Sequence, residues 1–320
     1  MRRYTSLQFE AGNTLLVILV VVCLLHAAYG VPGCGVAGAE GRRRQPRDAG
    51  VSLAEGRGLD IGSGRIINGR ESAKGAWPWQ ASLQLLHPQL GLLAHWCGAV
   101  LIHPLWLLTA AHCIHNELFN LPLAALWTAV LGEWDLSHRE GSEQRLPVDR
   151  IVLHQRFRHH LHDIALLQLT WPASGVTPAC LPPPRAASAP AAASCVATGW
   201  GRSSRSAAAS TPVPGRLLEA RLPLLETRRC RRLYQRVSDV SLGPGHLCAG
   251  RLDGSQAACV GDSGGPLQCP SGDGTWFVAG ITSFGSGCAH PGLPDIFTRV
   301  SHYLAWIHDT INSTTYESVQ

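Results

Sequence analysis

A chain of 320 residues suffices for one large or two small domains, and at 45% hydrophobic it can bury a sizeable core. Its 34 glycines and 21 prolines favour turn-rich β structure over helix. The formal charge of +5 is front-loaded. Residues 1–65 hold eight arginines against five acids, so without them +2 remains, which argues against a general nucleic-acid or membrane surface.

Eleven cysteines point to an oxidising compartment. The chain opens with Arg2 and Arg3, an unbroken apolar run over residues 15–25, and the small-residue stretch Ala28-Tyr29-Gly30. This pattern predicts a secretory signal, residues 1–30, removed after Gly30. The alternative is a type II membrane anchor. The run is shorter than the ~20 residues of a typical span and His26 breaks its end, which favours the signal. Cys23 lies inside it and leaves ten cysteines, an even number. Residues 31–65 are rich in Gly and Arg and poor in large apolar side chains, as expected of a flexible pro-segment. Arg42-Arg43-Arg44 is read there as a solvated charge run rather than a second processing site.

From Trp77 onward, short runs rich in Val, Leu, Trp and Thr are broken by Gly and Pro. Strands are predicted at 79–86, 98–108, 127–132 and 164–169. A Pro- and Ala-rich linker follows at 181–194. Strands resume at 195–200, 217–225, 265–268 and 276–284. Val300, Tyr303, Leu304 and Ile307 recur at helical spacing, which predicts a helix over 300–311 and a tail over 313–320.

Three stretches carry the chemistry. Gly261-Asp262-Ser263-Gly264-Gly265-Pro266 places a hydroxyl between glycines that let backbone approach a substrate closely. A serine is a weak nucleophile that needs a base to take its proton and donors to hold the resulting oxyanion. Upstream lie Leu108-Thr109-Ala110-Ala111-His112-Cys113 and His162-Asp163-Ile164-Ala165-Leu166-Leu167. The order His, Asp, Ser differs from that of subtilisin-type and α/β-hydrolase triads. With Cys195-Val196-Ala197-Thr198-Gly199-Trp200-Gly201, the set resembles the trypsin/chymotrypsin-like serine proteases over about residues 66–312.

That resemblance implies an all-β fold of two antiparallel barrels, about 66–185 and 186–300, with a cleft between them and a C-terminal helix. It implies that Ser263 attacks a peptide carbonyl, His112 moves the proton, Asp163 orients the imidazole, and the amides of Gly261 and Ser263 hold the oxyanion. It implies activation by an external protease cutting after Arg65, whose new Ile66 amine then pairs with Asp262. Where relatives start with two glycines, this chain has Asn68 and Gly69. Cysteine connectivity is open from the sequence alone. The resemblance supplies Cys97–Cys113, Cys195–Cys269, Cys230–Cys248 and Cys259–Cys288, leaving Cys34 with Cys180 as a tether for the pro-segment. Implied partners are protein or peptide substrates and protein protease inhibitors, with no nucleic acid. No cofactor or catalytic metal is expected.

In the substrate pocket the sequence also departs from tryptic relatives. They carry an Asp six residues before the nucleophile, and this chain has Ala257. The expected substrate pocket comprises Ala257, Ala258, Ser283, Gly285 and Asp295, and the last stands where a Gly is usual. A carboxylate moved from floor to wall predicts a mixed basic and bulky-apolar preference at the cleaved residue; with Asp295 turned to solvent, the pocket is chymotrypsin-like instead.

The loop from Glu133 to Glu143, with Asp135 and Glu140, resembles a calcium loop, and its alternative is a charged hairpin. The loop after Cys113 carries Leu118, Phe119, Leu121, Pro122, Leu123 and Trp127, which suggests a restricted processing protease. His159, His160 and His162 read as solvated surface in preference to a zinc site. Arg228-Arg229-Cys230-Arg231-Arg232 reads as a solvated face, with heparin-like polymers as the alternative. Asn312-Ser313-Thr314 is a glycosylation sequon. Two competing readings are a catalytically silent binding protein on the same fold and a membrane-anchored protease.

Overall fold

The structure, a computed structural model, describes residues 33–38, 69–115, 120–183, 194–201, 215–237, 240–258, 262–285 and 290–317. The expected signal segment, Arg65, Ile66, Cys259, Gly261, Cys288 and most of the 181–194 linker lie outside these residues.

Six strands close the first barrel: β2 (Gln80–His87), β3 (Gly91–His103), β4 (Trp106–Thr109), β5 (Trp127–Leu131), β6 (Gln144–Leu153) and β7 (Ala165–Leu169). They run antiparallel in the order β2-β3-β4-β7-β6-β5. The second barrel contains β8 (Ser194–Gly199), β9 (Leu218–Leu225), β10 (His246–Ala249), β11 (Pro266–Pro270), β12 (Trp276–Phe284) and β13 (Asp295–Arg299). Its order is β9-β10-β13-β12-β11-β8, closed by the β8–β9 ladder, and β1 (Arg70–Glu71) pairs with β9. Closure removes the exposed edges that an open sheet would present. Helix α1 is Thr227–Tyr234, and α2, Leu304–Glu317, ends the described chain.

Large side chains fill the interior. Trp79, Trp127, Trp276 and Phe297 are almost wholly buried. Buried polar groups stitch the barrels together. Trp79 Nε1 donates to Gln268 Oε1 at 3.0 Å, Thr198 Oγ1 donates to Gln80 Oε1 at 2.6 Å, and Gln268 Nε2 donates to Thr198 Oγ1 at 3.2 Å. Such a satisfied network favours one docking of the two barrels, because a shifted docking would strand several buried donors.

The stretch 98–108, expected as one strand, is a hairpin split at Pro104. Proline has no N–H for a ladder, and the His103 imidazole accepts the Leu105 amide instead. The C-terminal helix also begins later than its apolar spacing predicts. Val300–His302 forms a 3-10 turn, and the α-helix proper starts at Leu304. Val300, Tyr303 and Ile307 are nonetheless the buried positions.

Disulfides join Cys97 to Cys113, Cys195 to Cys269, Cys230 to Cys248 and Cys34 to Cys180. The last spans 146 residues and fixes the segment around Cys34 against the body. There the Gly35 amide donates to Pro178 O at 2.7 Å, and the Trp276 amide donates to Gly35 O at 2.9 Å.

Candidate active site

Strand register brings the first two candidate residues together. β4 pairs with β7 so that Thr109 faces Ala165. The chain leaving β4 therefore runs beside the chain entering β7. His112 lies three residues beyond that pair on a 3-10 turn, Ala111–Cys113, and Asp163 lies two residues before it. The Cys97–Cys113 bridge ties this turn to β3.

Asp163 is 1% exposed and receives donors from both barrels. Its Oδ1 accepts the His112 amide at 2.9 Å, and its Oδ2 lies 2.8 Å from His112 Nδ1. From β12, Ser283 Oγ donates to Oδ2. From β13, Thr298 Oγ1 donates to the Asp163 main-chain oxygen at 2.6 Å. Burial alone would raise this carboxyl pKa. The His112 charge, the hydrogen bonds from His112 and Ser283, and the His112 amide together hold it below the ordinary value. For His112 burial pulls downward, and the Asp163 charge and hydrogen bond outweigh it, so the imidazole pKa is raised. A carboxylate on Nδ1 selects the tautomer that leaves Nε2 as the basic nitrogen.

Ser263 arrives from the second barrel on the turn before β11. Its carbonyl accepts the Gly98 amide of β3 at 2.8 Å. Gly264 adopts φ 75, and a Cβ there would lie 2.2 Å from Thr109 Oγ1 and 3.0 Å from Cys113 Sγ. The turn carrying the serine is therefore pressed against residues flanking His112, an approach only glycine permits. The neighbouring Asp262 is 2% exposed, and its Oδ1 accepts the Gly201 amide at 2.9 Å. Gly199 and Gly201 wall this carboxylate so closely that a Cβ on either would collide with it.

The pocket residues also gather. Ala257 and Ala258 are buried and apolar. Asp295 is 7% exposed, begins β13, and accepts the Ala258 amide through Oδ2 at 2.8 Å. Its Oδ1 faces Gly285, where a Cβ would stand 3.1 Å away. Asp295 thus points inward from the wall, not to solvent. Burial pushes its pKa up to about 7; the Ala258 amide works against this, and the Asp262 charge adds to it.

Outside the cleft, Glu133 carries a carboxyl raised to about 7 by burial first and then by Glu143, with Glu140 and Asp135 adding to it and Arg145 opposing. Glu133 Oε1 and Glu140 Oε2 are buried without a hydrogen-bond partner among the described residues. Glu143 instead accepts the amides of Glu140 and Gly141. Cys97, Cys113 and His112 bring metal-type donor atoms together, but the two sulfurs are bonded to each other. Asn312 is exposed on α2. In the loop after Cys113, Trp127 is buried with Nε1 donating to Leu121 O at 2.8 Å, and Leu123 is exposed.

Two features escaped the sequence reading. Ser283, expected only as pocket wall, also donates to Asp163; it lies on the predicted strand 276–284, but its partner is 120 residues away in the other barrel, a contact no local pattern records. His162 is not solvated surface. It is half-buried at φ 54, its ring stacks on buried His154 with centroids 4.8 Å apart, and its Nδ1 lies 3.1 Å from Tyr303 Oη. A positive φ at a histidine leaves no sequence signature.

A family model described as Trypsin matches residues 66–307. The chain is 37% identical over 258 residues to transmembrane protease serine 7 of Mus musculus, covering 78% of this chain and 29% of that protein. It is 38% identical over 252 residues to transmembrane protease serine 5 of Homo sapiens, covering 77% of this chain and 51% of that protein. It is 37% identical over 276 residues to chymotrypsin-like elastase family member 3A of Homo sapiens, covering 82% and 96%. The match thus spans at most about half the length of these two transmembrane relatives and nearly all of the elastase.

Proposed function

From the premise that this chain belongs to the trypsin family and is a serine endopeptidase, we propose how its own residues divide the work. Ser263 is the nucleophile. His112 Nε2 takes its proton and returns it to the leaving amine. Asp163 fixes the imidazole through Nδ1 and stabilises the imidazolium. The amides of Gly261 and Ser263 hold the oxyanion. The observation that carries this reading is the doubly bonded His112–Asp163 pair, at 2.9 and 2.8 Å, with the Ser263 turn held to β3 beside it. A fluorophosphonate that labels Ser263 in wild type but not in His112→Ala is the expected result. Equal labelling of the two would refute the assignment, and no labelling of a cleaved wild type would favour a silent binding protein.

Activation follows cleavage after Arg65 by another protease. The freed Ile66 amine then pairs with Asp262, whose carboxylate is buried and accepts the Gly201 amide. An uncleavable Arg65→Gln protein should lack peptidase activity. Substrate preference at the cleaved residue is mixed. A Lys or Arg side chain meets Asp295 from the wall, and a bulky apolar one rests on Ala257 and Ala258. Profiling cleavage of a peptide library by wild type and Asp295→Gly tests this: the Arg and Lys signal should drop while Leu and Phe persist.

The protein is secreted in this reading, with a membrane anchor as the second possibility because two relatives are named transmembrane. Among the described residues no helix is long and apolar enough to cross a membrane. Its partners are protein or peptide substrates, an activating protease and protein inhibitors. Asn312 carries a glycan. Calcium fits the orphaned oxygens of Glu133 and Glu140, which would hold it and relieve their mutual repulsion. Calcium should raise the Tm of wild type and leave that of Glu133→Gln unchanged.

A further inference from the structure

Helix α1 has two unlike sides. Cys230 and Tyr234, four residues apart, face inward. Cys230 is bonded to Cys248 on β10, and Tyr234 Oη donates to Pro294 O at 2.7 Å. The opposite side is arginine. Arg228, Arg229, Arg231 and Arg232 are exposed, as is Arg236 just after the helix. At ~100° per residue the four helical arginines fall within an arc of roughly 160° centred away from the Cys230–Tyr234 side. At 1.5 Å per residue the row from Arg228 to Arg236 runs for roughly 12 Å.

Neither helix stability nor internal pairing accounts for this row. Arg228 and Arg229 sit in the first turn, where the helix dipole disfavours cations and where there is no acidic residue. Like charges three and four apart repel. Among the described residues, none of the five guanidinium groups forms an ion pair with a carboxylate, and one recorded contact, Arg231 Nε to Leu242 O at 3.0 Å, is to a neutral carbonyl. The cations are concentrated on one rigid face, stapled from behind by a disulfide and a buried hydrogen bond, and left open to solvent.

We propose that this face binds a sulfated polysaccharide chain. Planar guanidinium groups pair with sulfate oxygens in a bidentate fork that ammonium groups cannot form. Four disulfides place the protein where sulfated glycans, rather than nucleic acids, are the abundant linear polyanions. A lipid surface suits the face poorly, because a bilayer-seated helix needs a large apolar side and here the inward side is used for packing. Since Tyr234 and Cys230 point toward the pocket wall at Pro294, the arginine row points away from it. Polysaccharide binding therefore holds the protein in place and leaves the substrate cleft open.

The test uses the full chain on immobilised heparin and in titration with a heparin octasaccharide. Wild type should be retained at 0.15 M salt, roughly the physiological ionic strength. Arg228→Gln/Arg229→Gln/Arg231→Gln/Arg232→Gln should elute below that and bind the octasaccharide at least tenfold more weakly. A control lacking Arg139, Arg150, Arg156 and Arg158 loses the same charge elsewhere and should bind within threefold of wild type. Far-UV circular dichroism and turnover of a small peptide by the processed form should match between wild type and the α1 variant, which separates lost binding from lost folding. Equal weakening in the two variants would overturn the proposal in favour of overall charge. So would tighter binding of wild type to duplex RNA, or to phosphatidylserine vesicles, than to the octasaccharide.

Discussion

Asp163 and Asp295 are both buried carboxylates at the cleft, and they sit in opposite electrostatic states. Asp163 collects the His112 imidazole, the His112 amide and the Ser283 hydroxyl, and its pKa is lowered. Among the described residues, Asp295 collects one amide; it feels Asp262 as a like charge and is raised to about 7. Burial is common to both, so the number and sign of partners decides the outcome. In the proposed division of work, a carboxylate with its partners built in is a fixed orienting group, and one with fewer partners would receive a substrate cation.

The largest expected effect removes the charge that is already paired. Asp163→Asn should lower kcat on the order of 10⁴-fold, since the imidazole loses the tautomer it needs. A loss under tenfold would break the contrast. Next, Asp295→Asn should lower kcat/KM for Arg and Lys substrates about 10²- to 10³-fold, as expected for deleting one member of a buried ion pair, with Leu and Phe substrates changed little. Steady-state kinetics on matched peptides reads both.

The pH profile should separate the two carboxylates in sign. Asp295 has a folded pKa above its unfolded value, so its ionisation costs stability that disappears as pH falls from about 7 toward 3.8. Asp295→Asn should therefore raise Tm at pH 8 and leave it nearly unchanged at pH 4. Asp163 has a lowered pKa, so its stabilisation is present above 3.8 and fades below it. Asp163→Asn should lower Tm at pH 8 and do less at pH 3. In turnover, the preference for Lys over Leu should fall as pH drops below about 7. The smallest effect is expected from Ser283→Ala, about tenfold in kcat for a hydrogen bond to a charged group. It should also shift the acid limb of the kcat/KM profile by weakening the hold on Asp163.

Much of this was legible in the residues. The Ser263, His112 and Asp163 stretches stand out because each is a short motif and the three occur together in one order along the chain. Strand 276–284 is legible to its ends because six of its nine residues are β-branched or aromatic and a turn and Gly285 bound it. β6, β10 and β13 went unread. β6 contains a proline and three charged residues, and β10 and β13 are only four and five residues long. Short strands paired on both sides owe their form to neighbours far along the chain, which local pattern does not record. Helix α1 was hidden for a related reason. Four arginines in eight residues give no apolar stripe, and the helix is held by Cys230 and Tyr234, whose partners lie at Cys248 and Pro294. The inward turn of Asp295 could be suspected from the missing Asp at Ala257, but its contact with the Ala258 amide depends on three-dimensional placement.

The most direct test of the central claim is active-site labelling with a fluorophosphonate before and after cleavage at Arg65, with the modified residue located by peptide mass spectrometry. Label is expected on Ser263 in the cleaved wild type, and none in uncut Arg65→Gln or in cleaved His112→Ala. Label on Ser263 in the uncut protein at the rate of the cleaved one, or a cleaved wild type that stays unlabelled, would contradict it.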